Sequence, residues 1–399
     1  MWSPRVRWPS EEGLPKEGWP REGWETRFLD GLGGIPAADW DALVPDGNPF
    51  VSHAFLSGME AKGCLREDYG WRPYHLGIFE HDRLVAAAPT YLKGNSHGEF
   101  VFDWSWASAW ERAGGNYYPK LLVASPYSPV PGPRLLVRDG LDAEVLRNQL
   151  TAALVDEADR LGLSSIHANF LADADLDAFD DRWLARADYQ FHWHNRGYAD
   201  FDEFLGALTS KKRKNIRQER AHAHASGLTL EMRGGDEFSD AEWRQIHALY
   251  ELTFDMKGNH AALTARFFQY LGRSLGSNVQ VALARDTHDI VAMALFLRGG
   301  DALYGRYWGA SVEVSGLHFE LCYYRGIDYA IRHGIERFEP GAQGEHKLAR
   351  GFLPTLTHSR HYIAHEGFRR AVADALTHEA SHREAYREEL MAHSPYAAR

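Results

Sequence analysis

The alternation of apolar and polar positions divides the chain into helices and short strands whose order repeats. Leu146, Leu150, Leu154 and Leu161 recur at helical spacing and predict a helix over 141–161 that ends at Gly162. Shorter helices are predicted over 37–44, 52–63 and 175–186. Strands are predicted over 74–79 and 84–92, joined by a turn at His81-Asp82-Arg83, and again over 100–106 and 165–170. The second half returns to this order. A long helix over 204–225 stops at Gly227, a strand covers 228–232, and helices cover 240–254 and 264–275. Strands follow over 279–285, 290–297 and 302–308, then a helix over 317–333, a strand over 335–338 and a last helix over 368–392.

One stretch repeats at the level of residues. Leu84-Val85-Ala86-Ala87-Ala88-Pro89-Thr90-Tyr91-Leu92-Lys93-Gly94 aligns with Ile290-Val291-Ala292-Met293-Ala294-Leu295-Phe296-Leu297-Arg298-Gly299 once one residue is deleted. Each copy follows a strand and a turn and precedes an aromatic strand. A duplicated α/β unit with mixed sheets explains both the identity and the element order. The expected organisation is a flexible tail over 1–25, where Pro and Gly recur too densely for a helix or a ladder, then units over 26–190 and 191–366. The basic helix 204–225 lies in the second unit, and a C-terminal helix occupies 367–399.

Composition narrows the function. With 399 residues, 44% hydrophobic and 25% charged, the chain has globular composition and room for two cores. No run of about 20 apolar residues is present to span a membrane. The start Met-Trp-Ser-Pro-Arg-Val-Arg lacks an apolar leader, and two distant cysteines, Cys64 and Cys322, give neither a disulfide framework nor zinc spacing. A cytoplasmic protein is expected. The net charge of −11 argues against broad nucleic-acid binding. Yet Ser210 to Arg220 gathers six basic residues against one acid, with Arg213, Arg217 and Arg220 on one helical stripe suited to phosphates. A solvated helix face is the plainer reading of such a run.

Three more stretches can carry chemistry. Phe338 to Phe352 follows a short strand and holds three glycines with Glu345, His346, Lys347 and Arg350 within six residues. Gly305-Arg306-Tyr307-Trp308 leads through Ser315-Gly316 to a helix start at His318, where free N–H groups suit a pyrophosphate or an oxyanion. His192-Trp193-His194 puts two imidazoles on one strand face, with His318, Glu320 and His346 as candidate co-ligands. No HExxH spacing accompanies them, so no metal is expected. GxSxG, Walker and strand-borne GxGxxG motifs are absent, which leaves hydrolase, NTPase and dehydrogenase readings without support.

The stretches Asn48-Pro49-Phe50-Val51-Ser52-His53, Phe102-Asp103-Trp104, Phe191 to Arg196 and Gly341 to Phe352 resemble a bacterial family of N-acyltransferases. These are the FemAB-like, or peptidoglycan biosynthesis/recognition, proteins, and the resemblance covers about 26–396. It implies the GNAT superfamily in the tandem arrangement of Fem-type aminoacyltransferases, which carry amino acids from aminoacyl-tRNA to peptidoglycan precursors. Lys347 matches their lysine facing the acceptor's phosphates, Lys211 to Arg220 is similar to their basic segment, and Asp103 is a looser match to their first-domain acid. Their long helical arm has no counterpart here, and Ser315-Gly316 stands where an acyl-CoA signature would be.

The expected activity is therefore transfer of an acyl or aminoacyl group from acyl-CoA or aminoacyl-tRNA to an amine, without a covalent enzyme intermediate or a resident cofactor. Glu345, Asp103 or His346 would take the amine's proton, and Lys347 with Arg350 would hold an acceptor carboxylate or phosphate. Arg306, Tyr307, Trp104, Asn195 and Arg196 complete the expected acceptor site. Ser315, Gly316, His318, Lys211, Arg213 and Arg217 form the expected donor site. The alternative is a non-catalytic module of the same fold that binds cell-wall peptide or an acidic ligand.

Overall fold

The computed structural model describes residues 8, 23–342 and 344–397. Most of the tail expected over 1–25 lies outside the described residues, and strand β1 takes in its end, Trp24 and Glu25.

The first half runs β1 (Trp24–Leu29), α1 (Ala37–Asp41), α2 (His53–Ala61), β2 (Trp71–Pro73), β3 (His75–Glu80), β4 (Arg83–Ala88), β5 (Thr90–Lys93), α3 (Trp104–Arg112), β6 (Lys120–Val123), β7 (Leu136–Val137), α4 (Ala143–Leu161) and β8 (Ser165–Leu171). The second half runs β9 (Trp183–His194), α5 (Phe201–Gly206), α6 (Ser210–His224), β10 (Thr229–Gly234), α7 (Asp240–Asp255), α8 (Ala265–Leu275), β11 (Val279–Arg285), β12 (Ile290–Gly299), β13 (Ala302–Ala310), α9 (Leu317–Phe319), α10 (Arg325–Arg332), β14 (Arg337–Glu339), β15 (Leu353–Ile363) and α11 (Glu366–Ala392).

Two compact units divide these elements, Met1–Asp188 with Thr357–Arg383 and Tyr189–Leu356 with Glu384–Arg399. The expected second unit reached 366; instead the chain re-enters the first unit at Thr357, and α11 contributes to both. In the first unit β1, β3 and β4 pair antiparallel, β5 pairs antiparallel with β6, β6 pairs parallel with β8, and β8 pairs antiparallel with β15. In the second, β10, β11, β12 and β13 pair antiparallel in turn, β13 pairs parallel with β14, and β14 pairs antiparallel with β9. The succession is the same once β4 and β5 together stand for β12. Pro89, which cannot donate to a ladder, separates β4 from β5. The register of β12 against β13 shifts at Leu295/Phe296, the place where the sequence repeat requires its deletion.

Each parallel pair needs a crossover, and a helix supplies it in both units. Asp142 caps α4 through a bond from the Val145 N–H at 3.2 Å, and left-handed Gly162 ends it. The helix buries Leu146, Leu150 and Leu154 against Ile166 and Ala168 of β8. In the second unit α10 packs Ile327 and Ala330 against Leu303 and Phe338. Burying one such leucine contributes roughly 1.5–3 kcal/mol.

Three sequence expectations are corrected. The strand expected over 100–106 is instead a loop leading into α3, whose Trp106 and Trp110 lie one turn apart and pack towards α11, with Trp110 stacked on Phe368 at 4.8 Å. Its period-2 run of aromatics imitates a strand; the strand that pairs with β5 is β6. The helix expected over 175–186 is a short 3-10 segment, Asp173–Ala178, followed by β9. Buried Asp175 there accepts the backbone N–H of Arg134 at 2.7 Å, the local bonding by which Asp competes with helix. The helix expected over 204–225 breaks between α5 and α6, where the Thr209 N–H bonds to the Pro395 carbonyl at 2.9 Å.

Candidate active site

β13 and β14 run together only as far as the pair Tyr304 and Glu339. Pro340 then offers no donor, Gly341 takes φ 96°, and the chain leaves the sheet while β13 continues to Ala310. Where parallel neighbours part, the strand end is left open, the usual place for a ligand in an α/β sheet. Beyond it the described chain reaches a 3-10 turn, Glu345–Arg350, whose Lys347 bonds back to Gly341. Gly344, at φ 120°, must be glycine: a Cβ would lie 2.4 Å from the His346 ring.

Lys347 is 3% exposed, and its Nζ donates to the Gly341 carbonyl at 2.7 Å. No acid pairs with it among the described residues. Burial lowers the ammonium to about 8; Cys322 opposes the shift and the Arg306 charge adds to it. Glu339 is also buried. Arg337 Nε donates to its Oε1 at 2.8 Å, while Oε2 has no donor and lies 3.9 Å from His192 Nε2. Burial raises this carboxyl to about 7 against the pull of Arg337. Burial also lowers His192 to about 3, so its ring is neutral near pH 7. A buried carboxyl that ionises near neutrality can accept a proton, and a buried ammonium with no acidic partner among the described residues can stabilise an anion.

The helix after β13 supplies a second group. A π-turn, Glu320–Tyr324, sets Tyr323 so that its OH lies 2.9 Å from His346 Nε2. His318 stands edge-on to Trp308 and Tyr323 at 5.0 and 5.5 Å; burial, then the charges of His346, Arg350 and Lys347, lower it to about 4. The structure thus brings His318, His346, Lys347, Arg350 and Arg306 near one another.

Other expected site residues have different surroundings. Glu345 is exposed and accepts the Tyr386 hydroxyl at 2.6 Å. Arg350 is committed to the fold: it bonds Glu219 at 2.7 Å, the Tyr324 hydroxyl at 3.1 Å and the His346 carbonyl at 2.8 Å, and lies 3.4 Å above the Phe319 ring. Asn195 and Arg196 follow β9 at the opposite end of β14 from Glu339. The Asn195 Oδ1 accepts the N–H groups of Gly197 and Tyr198, and Arg196 lies 4.0 Å over Tyr396. Tyr307 packs against Tyr250 at 5.1 Å. Gly316 is explained by packing, since a Cβ there would lie 2.2 Å from the Glu219 carbonyl of α6; Ser315 is exposed beside it.

On α6, Arg217 pairs with Asp202 at 3.2 Å and Arg220 with Glu320 at 2.9 Å, which takes both from the expected phosphate stripe. Lys211 and Arg213 have no acidic partner among the described residues. Among those residues, too, no three His, Cys, Asp or Glu side chains form a metal-binding group.

The first unit holds a different polar cluster. Asp103, just before α3, is 1% exposed; Lys120 Nζ bonds it and also bonds Glu99 at 2.9 Å. The Tyr117 hydroxyl donates to Asp103 at 2.7 Å. Burial favours a neutral Asp103, but the Lys120 and His167 charges outweigh it and hold the carboxyl well below its ordinary value. Burial lifts Glu99 to about 7 and lowers Lys93 to about 7. His167 Nδ1 lies 2.7 Å from His361 Nδ1 across β8 and β15. Trp104 is 47% exposed and stacks on Phe102 at 4.8 Å.

Glu339 was missed as an acid and His192 was weighed only as a metal ligand. The available signal was a glutamate closing a strand directly before Pro-Gly.

Comparison with known proteins follows this geometry. Residues 31–398 match the model of the FemAB-like family, described as peptidoglycan biosynthesis/recognition. No curated protein matches significantly. Among solved structures, the C-terminal domain of a protein named as a lysylphosphatidylglycerol synthetase from Agrobacterium fabrum aligns at TM-score 0.51 and 12% identity, over 85% of this chain and 95% of that one. FemX aligns at 0.49 and 12% over 88% and 100%, and a tandem GNAT protein from the clavulanic acid pathway at 0.43 and 12% over 86% and 99%. At these identities the likeness concerns the fold alone. No described helix is long and apolar enough to cross a membrane. With its two units of matching strand order, the chain belongs to the FemAB-like family.

Proposed function

We propose that the protein is an N-acyltransferase that moves an acyl or aminoacyl group from an activated donor to an amine, with Glu339 as general base and Lys347 as the anion-stabilising cation. The observation that carries this reading is Glu339: a buried carboxyl at an open strand end, one oxygen held by Arg337 and the other without a donor. A lysine-like acceptor is protonated at neutral pH and must lose a proton before attack. Glu339 in its carboxylate form takes that proton. The freed amine then adds to the donor's carbonyl carbon, and the carbonyl oxygen becomes an oxyanion beside the Lys347 ammonium. Collapse forms the amide and expels the donor's oxygen or sulfur, which leaves with a proton. No bond to the enzyme forms. Family membership supports a peptidoglycan-related acceptor.

Lys211 and Arg213, basic and without acidic partners among the described residues, favour aminoacyl-tRNA as donor. Binding to tRNA should weaken as salt rises and weaken further in Lys211→Ala and Arg213→Ala; an acyl-CoA donor would instead compete with free CoA. In the assay that responds, Glu339→Gln should lower kcat by about 10²–10⁴-fold. Unchanged turnover in Glu339→Gln would remove Glu339 from the mechanism, and no turnover with either donor would favour the non-catalytic binding module.

A further inference from the structure

A cavity of about 450 Å³ opens in the second unit between the ends of β10, β11 and β12 and the last turns of α10. Its polar lining includes Arg298, Arg325, Arg332, Gln280 and Ser277, with Tyr329 on one wall. Across the sheet Arg298 pairs with Leu303 and Leu303 with Phe338, which packs on α10, so Arg298 shares that face, whereas Glu339, one residue on, faces away from it. The cavity therefore opens on the face of the sheet opposite Glu339.

Its charges do not cancel. Arg298 has no acidic partner among the described residues. Arg325 lies 3.3 Å from Glu320 and donates to the Leu230 carbonyl at 3.1 Å; the same carboxylate also serves Arg220 at 2.9 Å and His224 at 3.1 Å. Arg332 pairs with Asp328 at 3.0 Å on the exposed surface. One acid, Glu237, also lines the cavity against the three arginines, and its Oε1 accepts the Gly234 N–H at 2.6 Å. The last carbonyls of α10 are taken by the closing turn, through the N–H groups of His333, Gly334 and Ile335. Gln280 donates to the Ser277 carbonyl at 2.7 Å, which fixes its amide at the cavity wall. Three arginines lining a space of this size, against one acid, suit a phosphate group borne by a small molecule.

We propose that this cavity is a binding site for a phosphate-bearing small molecule, with Arg298 as its principal contact and Arg325 and Arg332 completing the cationic wall. Tyr329, stacked on the exposed His333 ring at 4.0 Å, offers a flat surface should the ligand carry a planar base. The test is calorimetric titration of the full chain with pyrophosphate and, separately, with ATP, in phosphate-free buffer. Saturable binding of either is expected, weakened at least about tenfold by Arg298→Gln and unaltered by Lys347→Met. Equal binding of both probes identifies bare phosphate recognition, and tighter ATP binding adds the base; both support the site. If Arg298→Gln fails to fold, Arg332→Gln, at an exposed position, should weaken binding in the same direction. Absence of saturable binding, or binding indifferent to the arginine variants, overturns the proposal.

Discussion

The two units bury ionisable groups on equivalent strands and use them differently. In the first, His167 on β8 faces His361 on β15; in the second, Glu339 on β14 lies beside His192 on β9. Both pairs sit on the sheet face turned away from the crossover helix, since Ile166 and Phe338, one residue earlier, face α4 and α10. In the first unit one ammonium, Lys120, pairs with two carboxylates, each of which keeps its other oxygen without a hydrogen-bond partner among the described residues, and the histidines bond each other. The second also leaves one Glu339 oxygen without a donor, but its buried ammonium, Lys347, has no acidic partner among the described residues. A lysine paired with two buried acids holds a fold together, whereas a buried lysine without an acid is poised to act on something else.

The sharpest way to break this comparison is to remove the lysine from each cluster. Lys120→Met strands Glu99 and Asp103 without a cation and should cost about 3–5 kcal/mol in denaturant unfolding. Lys347→Met removes no ion pair and should leave stability within about 1 kcal/mol of the parent, while abolishing most turnover. Equal destabilisation would erase the distinction. Next in size, His361→Phe keeps a ring against Trp106 but leaves His167 Nδ1 without its partner, for a loss of about 1–3 kcal/mol by thermal or chemical unfolding.

Smaller effects come from pH and from the surface. Glu339 binds its proton more tightly when folded, to about 7, than a free carboxyl does. Its contribution to stability is therefore largest at low pH and declines as pH rises from the ordinary carboxylate range through about 7. Glu339→Gln should flatten that slope in unfolding measured across this window. Lys347, lowered to about 8, acts in the opposite sense: stability should rise with pH between about 8 and the ordinary lysine value, a rise that Lys347→Met removes. The smallest effect belongs to Glu345→Ala, which loses one exposed bond to Tyr386 and should change stability by less than about 0.5 kcal/mol and turnover little.

Much of this fold is written in local pattern. The hairpins β3–β4 and β11–β12 are legible because a polar turn separates two apolar runs, and α4 because its leucines and Gly162 agree. β15 is not, since Pro354 and scattered polar residues hide the pairing with β8 that long-range contacts impose. Period 2 in Phe100 to Trp106 misleads because the aromatics serve a loop and the first turn of α3. At the candidate site, the loop around Lys347 stands out through its glycines and charges. The acid does not: Glu345 is adjacent in sequence but faces solvent, and only the parting of β13 from β14 shows that Glu339 is the buried one.

The proton affinity of Glu339 is the most direct measure of the central claim, and it needs no substrate. Carbon-13 NMR of carboxyl-labelled glutamate, with Glu339→Gln to assign the resonance, should show this group titrating with a midpoint near 7 in the folded protein. A midpoint in the ordinary carboxylate range, near 4.3, would mean that the group is solvated or fully paired, and would contradict its role as a base.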